Sequence, residues 1–320
     1  MRDFRRPSRR SLCCGLGAAA FCCLPALRAQ AALLREHPLD IAEIAPGLHV
    51  TQGVQAEAAP DNLGAIANIG FIIGRERVAV IDSGGCRLWG ERLFEAIRAR
   101  TDRPIGYLIQ THMHPDHVFG ASAFLAEKPE IIGHRNLPGA LAQRERYYRR
   151  RLNEALGDLA RGSAIVPPTR LVAASAAIDL GGRVVEIVAH RTAHTDNDLS
   201  LFDRATGTLW AGDLLFMERV PSLDGSLLGW LAVMDELRRV AARRVVPGHG
   251  PRTAAWPDAL AAQQRYLEGL RDEIRALQRR GGTMEQAMAT VGRSEAQRWV
   301  LFDDYNPGNV AAAFHELEWE

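Results

Sequence analysis

Residues 111–117 read T-H-M-H-P-D-H, so three of the chain's ten histidines and an aspartate fall within six consecutive positions. Neutral imidazoles and carboxylates together form the donor set that zinc and similar borderline metals prefer. Residues two apart on an extended segment project to the same side, which lets His112 and His114 converge on one ion. Pro115 breaks the extension and turns Asp116 and His117 toward a second ion. Four donors in so short a stretch read as half of a dinuclear centre.

The other half has to come from elsewhere. A-H-T-D-N at 193–197 follows a predicted strand and puts His194 in a turn. W-A-G-D at 210–213 puts Asp213 at the end of another predicted strand. V-P-G-H-G at 246–250 does the same for His249, with glycines that permit close backbone approach. A single histidine in a turn is more often a surface or core residue. Three such residues at successive strand ends, downstream of the histidine-rich stretch, make a set. His37, His49, His134, His190 and His315 lack such a setting and read as structural.

These donors need a scaffold. Short apolar runs bounded by Gly or Asp predict strands at 48–51, 67–73, 78–81 and 105–109, and again at 171–174, 184–189, 199–202, 209–210 and 244–246. Helical spacing covers 87–100, 117–126, 143–160, 258–279 and 284–291. Two β-rich halves, each followed by helices, predict an α/β (α+β) protein with sheets packed face to face and helices outside. The run R-E-R-Y-Y-R-R-R at 144–151 reads as a solvated helix face. The segment 216–230 follows Asp213 and is expected to line the groove, with Glu218 and Arg219 near substrate and Trp230 in the core. A loop at 54–63 is expected to cover the other side.

The first 31 residues stand apart. Arg2, Arg5, Arg6, Arg9 and Arg10 precede a mostly apolar stretch that ends in Ala29-Gln30-Ala31, the small-x-small pattern of a cleaved signal peptide. Ser8-Arg9-Arg10-Ser11-Leu12 is similar to a twin-arginine export signal, so a periplasmic protein of residues 32–320 is expected, with a helical tail from about 257. The leader takes with it six arginines, one aspartate and four of the five cysteines, moving the net charge from +1 to −4. Neither nucleic-acid binding nor a disulfide framework fits what is left, in which Cys86 is alone.

The pattern His112-x-His114-x-Asp116-His117, with His194, Asp213 and Pro247-Gly248-His249-Gly250, resembles the metal signature of the metallo-β-lactamase superfamily. Asp82, in V-I-D-S-G-G, is similar to the superfamily's earlier aspartate turn. The resemblance implies an αββα sandwich with the metals in a shallow groove along one edge. It implies two Zn2+ ions: His112, His114 and His194 on the first, Asp116, His117 and His249 on the second, and Asp213 bridging. It also implies catalytic weight on Asp116 and Asp213, and a water or hydroxide between the ions as nucleophile toward an ester, thioester, lactone or amide. Histidine at 114 argues against the oxygen-reducing di-iron branch, and Asp213 departs from the β-lactamases that carry cysteine there.

Residues 65–72, H-R-T-A-H-T-D-N-D at 190–198, G-D-L-L-F at 212–216, 221–230 and the ending E-L-E-W-E resemble a narrower group, the quinoprotein relay system zinc metallohydrolases. That resemblance implies export and an association with a pyrroloquinoline-quinone (quinoprotein) dehydrogenase and its cytochrome c partner. It does not supply a substrate. Two other readings use the same residues: a mononuclear-iron (Fe) sulfur dioxygenase of the same fold, and a non-catalytic metal- or quinone-binding module.

Overall fold

The computed structural model describes residues 39–319, so the expected leader at 1–31 and His37 lie outside the described residues. A first sheet of seven strands runs in chain order: β1 (Ile41–Ala45), β2 (Leu48–Thr51), β3 (Ile69–Ile73), β4 (Val78–Ile81), β5 (Ile105–Ile109), β6 (Glu130–His134) and β7 (Arg170–Val172). Pairing is antiparallel from β1 to β4 and parallel from β4 to β7. The parallel half needs crossovers, and helices supply them. They are α1 (Arg87–Arg98), the short α2 (Pro115–Val118) continued by a 3-10 segment (Phe119–Glu127), and α3 (Leu137–Leu156). Val78–Ile81 is buried throughout, as a strand covered on both faces must be.

The second sheet holds β8 (Ser175–Asp179), β9 (Val184–Ala189), β10 (Leu199–Asp203), β11 (Thr208–Phe216), β12 (Arg244–His249) and β13 (Ala254–Ala255). Only β11 and β12 run parallel, joined through α4 (Leu227–Leu237). The tail folds as α5 (Leu260–Gln278), α6 (Met284–Thr290) and α7 (Phe302–Leu317).

Three apolar clusters record the layering. Ile72, Ile81, Ile109 and Ile132 of the first sheet meet Val185, Leu201, Trp210 and Val246 of the second. Leu93 and Ile97 of α1 and Tyr148, Leu152 and Leu156 of α3 cover the first sheet's outer face. Trp230 and Val233 of α4, Tyr266 and Leu270 of α5 and Phe314 of α7 cover the second's. This is the αββα sandwich that the sequence resemblance implies. No described helix is long and apolar enough to cross a membrane.

Several elements differ from the sequence reading. The expected strand at 171–174 ends at Val172, and a separate strand, β8, begins at Ser175 in the other sheet. Its small residues (S-A-A-I-D) give no apolar pattern to read. The strands β1, β6 and β13 also lay below the pattern's reach. Helix α3 starts six residues earlier than 143, with Pro138 in the first turn, where the missing N–H has no intrahelical partner to lose. The strand expected at 209–210, with Asp213 at its end, runs on to Phe216 through a bulge. Gly212 takes φ +53° and the β11–β12 register shifts there, so Asp213 sits inside the strand rather than at its end.

Candidate metal centre

The histidine-rich stretch leaves β5 at the point where the two sheets open. Asp82, fully buried just after β4 with φ +57°, anchors it. Its Oδ1 accepts from the Thr111 backbone N–H at 2.8 Å, and its Oδ2 accepts from the Thr111 hydroxyl and from His117 Nδ1, both at 2.8 Å. The Leu199 N–H then donates to Thr111 O at 2.7 Å, tying the stretch to the second sheet. Pro115 occupies the first turn of α2, which carries Asp116 and His117.

All seven predicted donors meet here, in two groups: His112, His114, His194 and Asp213, and Asp116, His117 and His249. In the first, His114 Nδ1 lies 2.9 Å from His194 Nε2, and Asp213 Oδ2 lies 3.5 Å from His112 Nε2 and 3.4 Å from His194 Nε2. In the second, Asp116 Oδ2 lies 3.5 Å from His117 Nε2 and 3.4 Å from His249 Nε2. Asp213 reaches across, with Oδ1 3.1 Å from His117 Nε2 and Oδ2 3.3 Å from His249 Nε2. A tetrahedral ion with bonds near 2.0–2.1 Å separates its ligands by about 3.3 Å. Backbone choice makes room for this: a Cβ on Gly248 would sit 1.9 Å from Asp213 Oδ1.

The outer nitrogen of each ring decides where its proton sits. His117 Nδ1 faces Asp82, His194 Nδ1 donates to Ser222 O at 2.6 Å, and His249 Nδ1 donates to Ile66 O at 2.8 Å. His114 Nε2 faces Asp224 Oδ2 at 3.2 Å. The Thr111 hydroxyl gives its proton to Asp82, so its oxygen accepts from His112 Nδ1 at 3.1 Å. Each ring thus has an outer partner for its proton, which leaves the inner nitrogen available to a metal, the arrangement that prepares histidines as ligands.

Electrostatics agree. Burial, helped by neighbouring imidazoles, holds His112 well below the ordinary histidine value and His194 at about 3, so both are neutral at pH 7. Burial would also lower His117, but the Asp213, Asp116 and Asp82 carboxylates outweigh it and hold the ring well above its ordinary value. Burial raises Asp213, yet His249, His117 and His112 hold it well below the carboxylate range. Carboxylates crowded around buried rings call for a cation. Three buried atoms make the same point: His112 Nε2 has no hydrogen-bond partner, and His117 Nε2 and Asp213 Oδ1 face each other at 3.1 Å. Orphaned buried polar atoms cost about 1–3 kcal/mol each, a penalty that inward-bound metal removes. The donor set fits two ions.

The Metallo-beta-lactamase superfamily model matches residues 64–249, more than half of the chain. The chain belongs to the metallo-β-lactamase superfamily. It is 23% identical over 211 residues to the linear primary-alkylsulfatase of Pseudomonas sp. (strain ATCC 19151), covering 55% of this chain and 40% of that protein. Among solved structures it is similar to the stereoselective inverting sec-alkylsulfatase Pisa1 from Pseudomonas sp. (TM-score 0.69, 16% identity, 87% of this chain and 50% of that one). It is also similar to a metallo-beta-lactamase from Pontibacter korlensis (TM-score 0.58, 18% identity, 72% of this chain and 99% of that one). The chain therefore spans about half the length of the alkylsulfatases it matches.

Within this superfamily fold the His/Asp cluster opens into a cavity of about 270 Å³. Phe216 stacks on His249 at 4.8 Å, and Trp230 packs 5.2 Å from His194 in the core, its indole N–H donating to Leu214 O at 3.0 Å. Glu57 of the 54–63 loop and Arg219 line the cavity as expected, whereas Glu218 is not part of its wall. Besides Ile66 O, the sequence reading missed three contributors. Asp224 and Ser222 hold ligands from outside, and the 144–151 run is more than a solvated face. Arg149 and Arg150 are exposed, but Tyr147, Tyr148 and Arg151 line the cavity, and Arg144 donates to Asp224 Oδ1 at 2.8 Å. Positions 144, 148, 151, 152 and 155 form one stripe at helical spacing, which a charge count over consecutive residues hides.

Proposed function

We propose that this protein is a dinuclear zinc hydrolase whose natural substrate is an ester, thioester, lactone or amide. The observation that carries the reading is the set of five histidines whose outer nitrogens are all engaged and whose inner nitrogens converge with Asp116 and Asp213 beside an open cavity. His112, His114 and His194 would hold one ion, Asp116, His117 and His249 the other, with Asp213 between them. When bound, the metals supply an acidified water at neutral pH and Lewis acidity toward the scissile group. The chain's residues do the rest: Thr111, Asp82, Ser222, Asp224 and Ile66 O fix the rings, and Phe216 shields His249 from solvent.

The likeness of residues 190–198, 221–230 and the C-terminal ending to quinoprotein relay metallohydrolases supports a periplasmic location and a link to a pyrroloquinoline-quinone dehydrogenase with its cytochrome c. Alkyl sulfate esters are a second substrate class, favoured by the two alkylsulfatase relatives and by the buried cation Arg219 in the cavity wall. Metal content of protein purified without added metal tests the reading first. Two zinc ions per chain are expected; one iron per chain, with oxygen uptake on a persulfide, sinks it in favour of the dioxygenase. Asp116→Ala is expected to abolish turnover of every ester, thioester, lactone, amide or sulfate ester that the wild type hydrolyses.

A further inference from the structure

Apart from the ligand Asp213, two cavity-lining side chains are almost completely buried yet carry a polar atom with no partner: the Tyr148 hydroxyl and Arg219 Nε. The rest of the Arg219 guanidinium is committed, to Ala56 O, Glu57 Oε1 and the Tyr305 hydroxyl. Tyr148 has no such commitment. It sits on the α3 stripe one turn beyond Arg144, which donates to Asp224, and it lines the same cavity as Asp116. Burial pushes the phenol well above its ordinary value, so it stays protonated and remains a donor. A tyrosine held for packing alone would be replaced by phenylalanine at no loss, since a buried O–H without a partner is unfavourable.

We propose that Tyr148 is a substrate-binding residue whose hydroxyl donates a hydrogen bond to an oxygen of the scissile group, and that the substrate is a small oxygen ester with an apolar acyl chain. The assignment rests on the hydrolase reading above. Leu152 and Ala155 continue the stripe beyond Tyr148, and Ala58, Ile66 and Phe216 complete an apolar lining. The cavity, at about 270 Å³, holds a short chain rather than a lipid. A hydroxyl donor beside apolar walls suits a carbonyl or carboxylate oxygen at the head of such a chain, the same oxygen that a hydrolysed product presents.

Zinc-loaded wild type and Tyr148→Phe are compared with hexanoate as the product-like probe and with p-nitrophenyl hexanoate as substrate. Loss of one hydrogen bond is expected to weaken hexanoate binding, read as the ligand-induced rise in Tm, by about tenfold and to lower kcat/KM by a similar factor. Metal content is expected to stay the same, and the Tm of the unliganded variant to stay level or rise. A drop in that Tm would mean that the hydroxyl is a structural partner, and the assignment fails. It fails equally if hexanoate shifts both proteins alike or shifts neither. Turnover separates the two readings. An active wild type matched by an equally active variant overturns the Tyr148 assignment and leaves the hydrolase. Differential hexanoate binding without turnover of any ester, thioester, lactone, amide or sulfate ester overturns the hydrolase and leaves Tyr148 as a binding residue.

Discussion

The two ligand groups of the metal centre are built differently. Asp116, His117 and His249 are held from within the sandwich: Asp82 is fully buried at the end of β4, and the other support is the backbone oxygen of Ile66. His114 and His194 are held from a loop, by the Asp224 side chain and by Ser222 O, and Asp224 is 28% exposed. That loop is itself steadied by Arg144 of α3 and by α7, whose Asn309 bonds Leu223 N and Pro221 O. The rings of one group are held by the core; in the other, His112 shares that core anchor through Thr111, and only His114 and His194 depend on peripheral pieces. Core supports hold position at a fixed geometry; peripheral ones leave a half-site that surface changes can reach.

The comparison breaks most severely at Asp82. Asp82→Ala leaves the Thr111 N–H and His117 Nδ1 buried without an acceptor, and should cost about 3–5 kcal/mol of stability in denaturant unfolding. A loss below about 1 kcal/mol would mean that the core half is not rigidly anchored. Asp224→Asn tests the peripheral half, and is expected to weaken binding of one metal by 10–100-fold while the other stays bound and the fold is kept. Equal loss of both ions in a chelator titration would show that the halves are not separable.

A third prediction uses pH. Burial lowers His190, at the start of the His194 loop, to about 4 from an ordinary 6.5, and its Nε2 lies 2.7 Å from Ser200 Oγ. Between those values the unfolded chain binds the proton and the folded one does not. The stabilisation is therefore fully present above pH 6.5 and disappears as pH falls through 4, at about 1.4 kcal/mol per pH unit. Unfolding of metal-free protein at pH 7 and pH 5 should show a shallower decline in His190→Gln than in the wild type; parallel declines would remove His190 as the cause. The smallest effect is at Glu316, whose carboxylate accepts from Ser226 Oγ and from the Leu227 and Leu228 N–H groups at the start of α4. Glu316→Gln should cost about 1 kcal/mol, read as a lowered midpoint of denaturant unfolding.

Legibility followed the same division. The seven donors could be read because metal chemistry restricts residue types and spacing, and the two-sheet architecture because apolar runs are bounded by turn residues. Asp82 was legible as part of a turn. Ser222 O and Ile66 O were not, since a backbone acceptor leaves no trace in residue identity. Asp224 lay in a stretch whose resemblance was noted, but its bond to His114 depends on a loop geometry that spacing does not fix. Tyr148 was hidden by its charged neighbours, because a helix sorts residues by a period of about 3.6 and not by adjacency.

Glu316 and Asn309 lie seven residues apart on α7, two turns along one face, and both grip the 221–228 segment. The last helix of the described chain therefore steadies the segment that holds ligands drawn from residues 112–194. Without that helix the supports of His114 and His194 would lose their clamp, while the rings anchored through Asp82, Thr111 and Ile66 O would keep theirs.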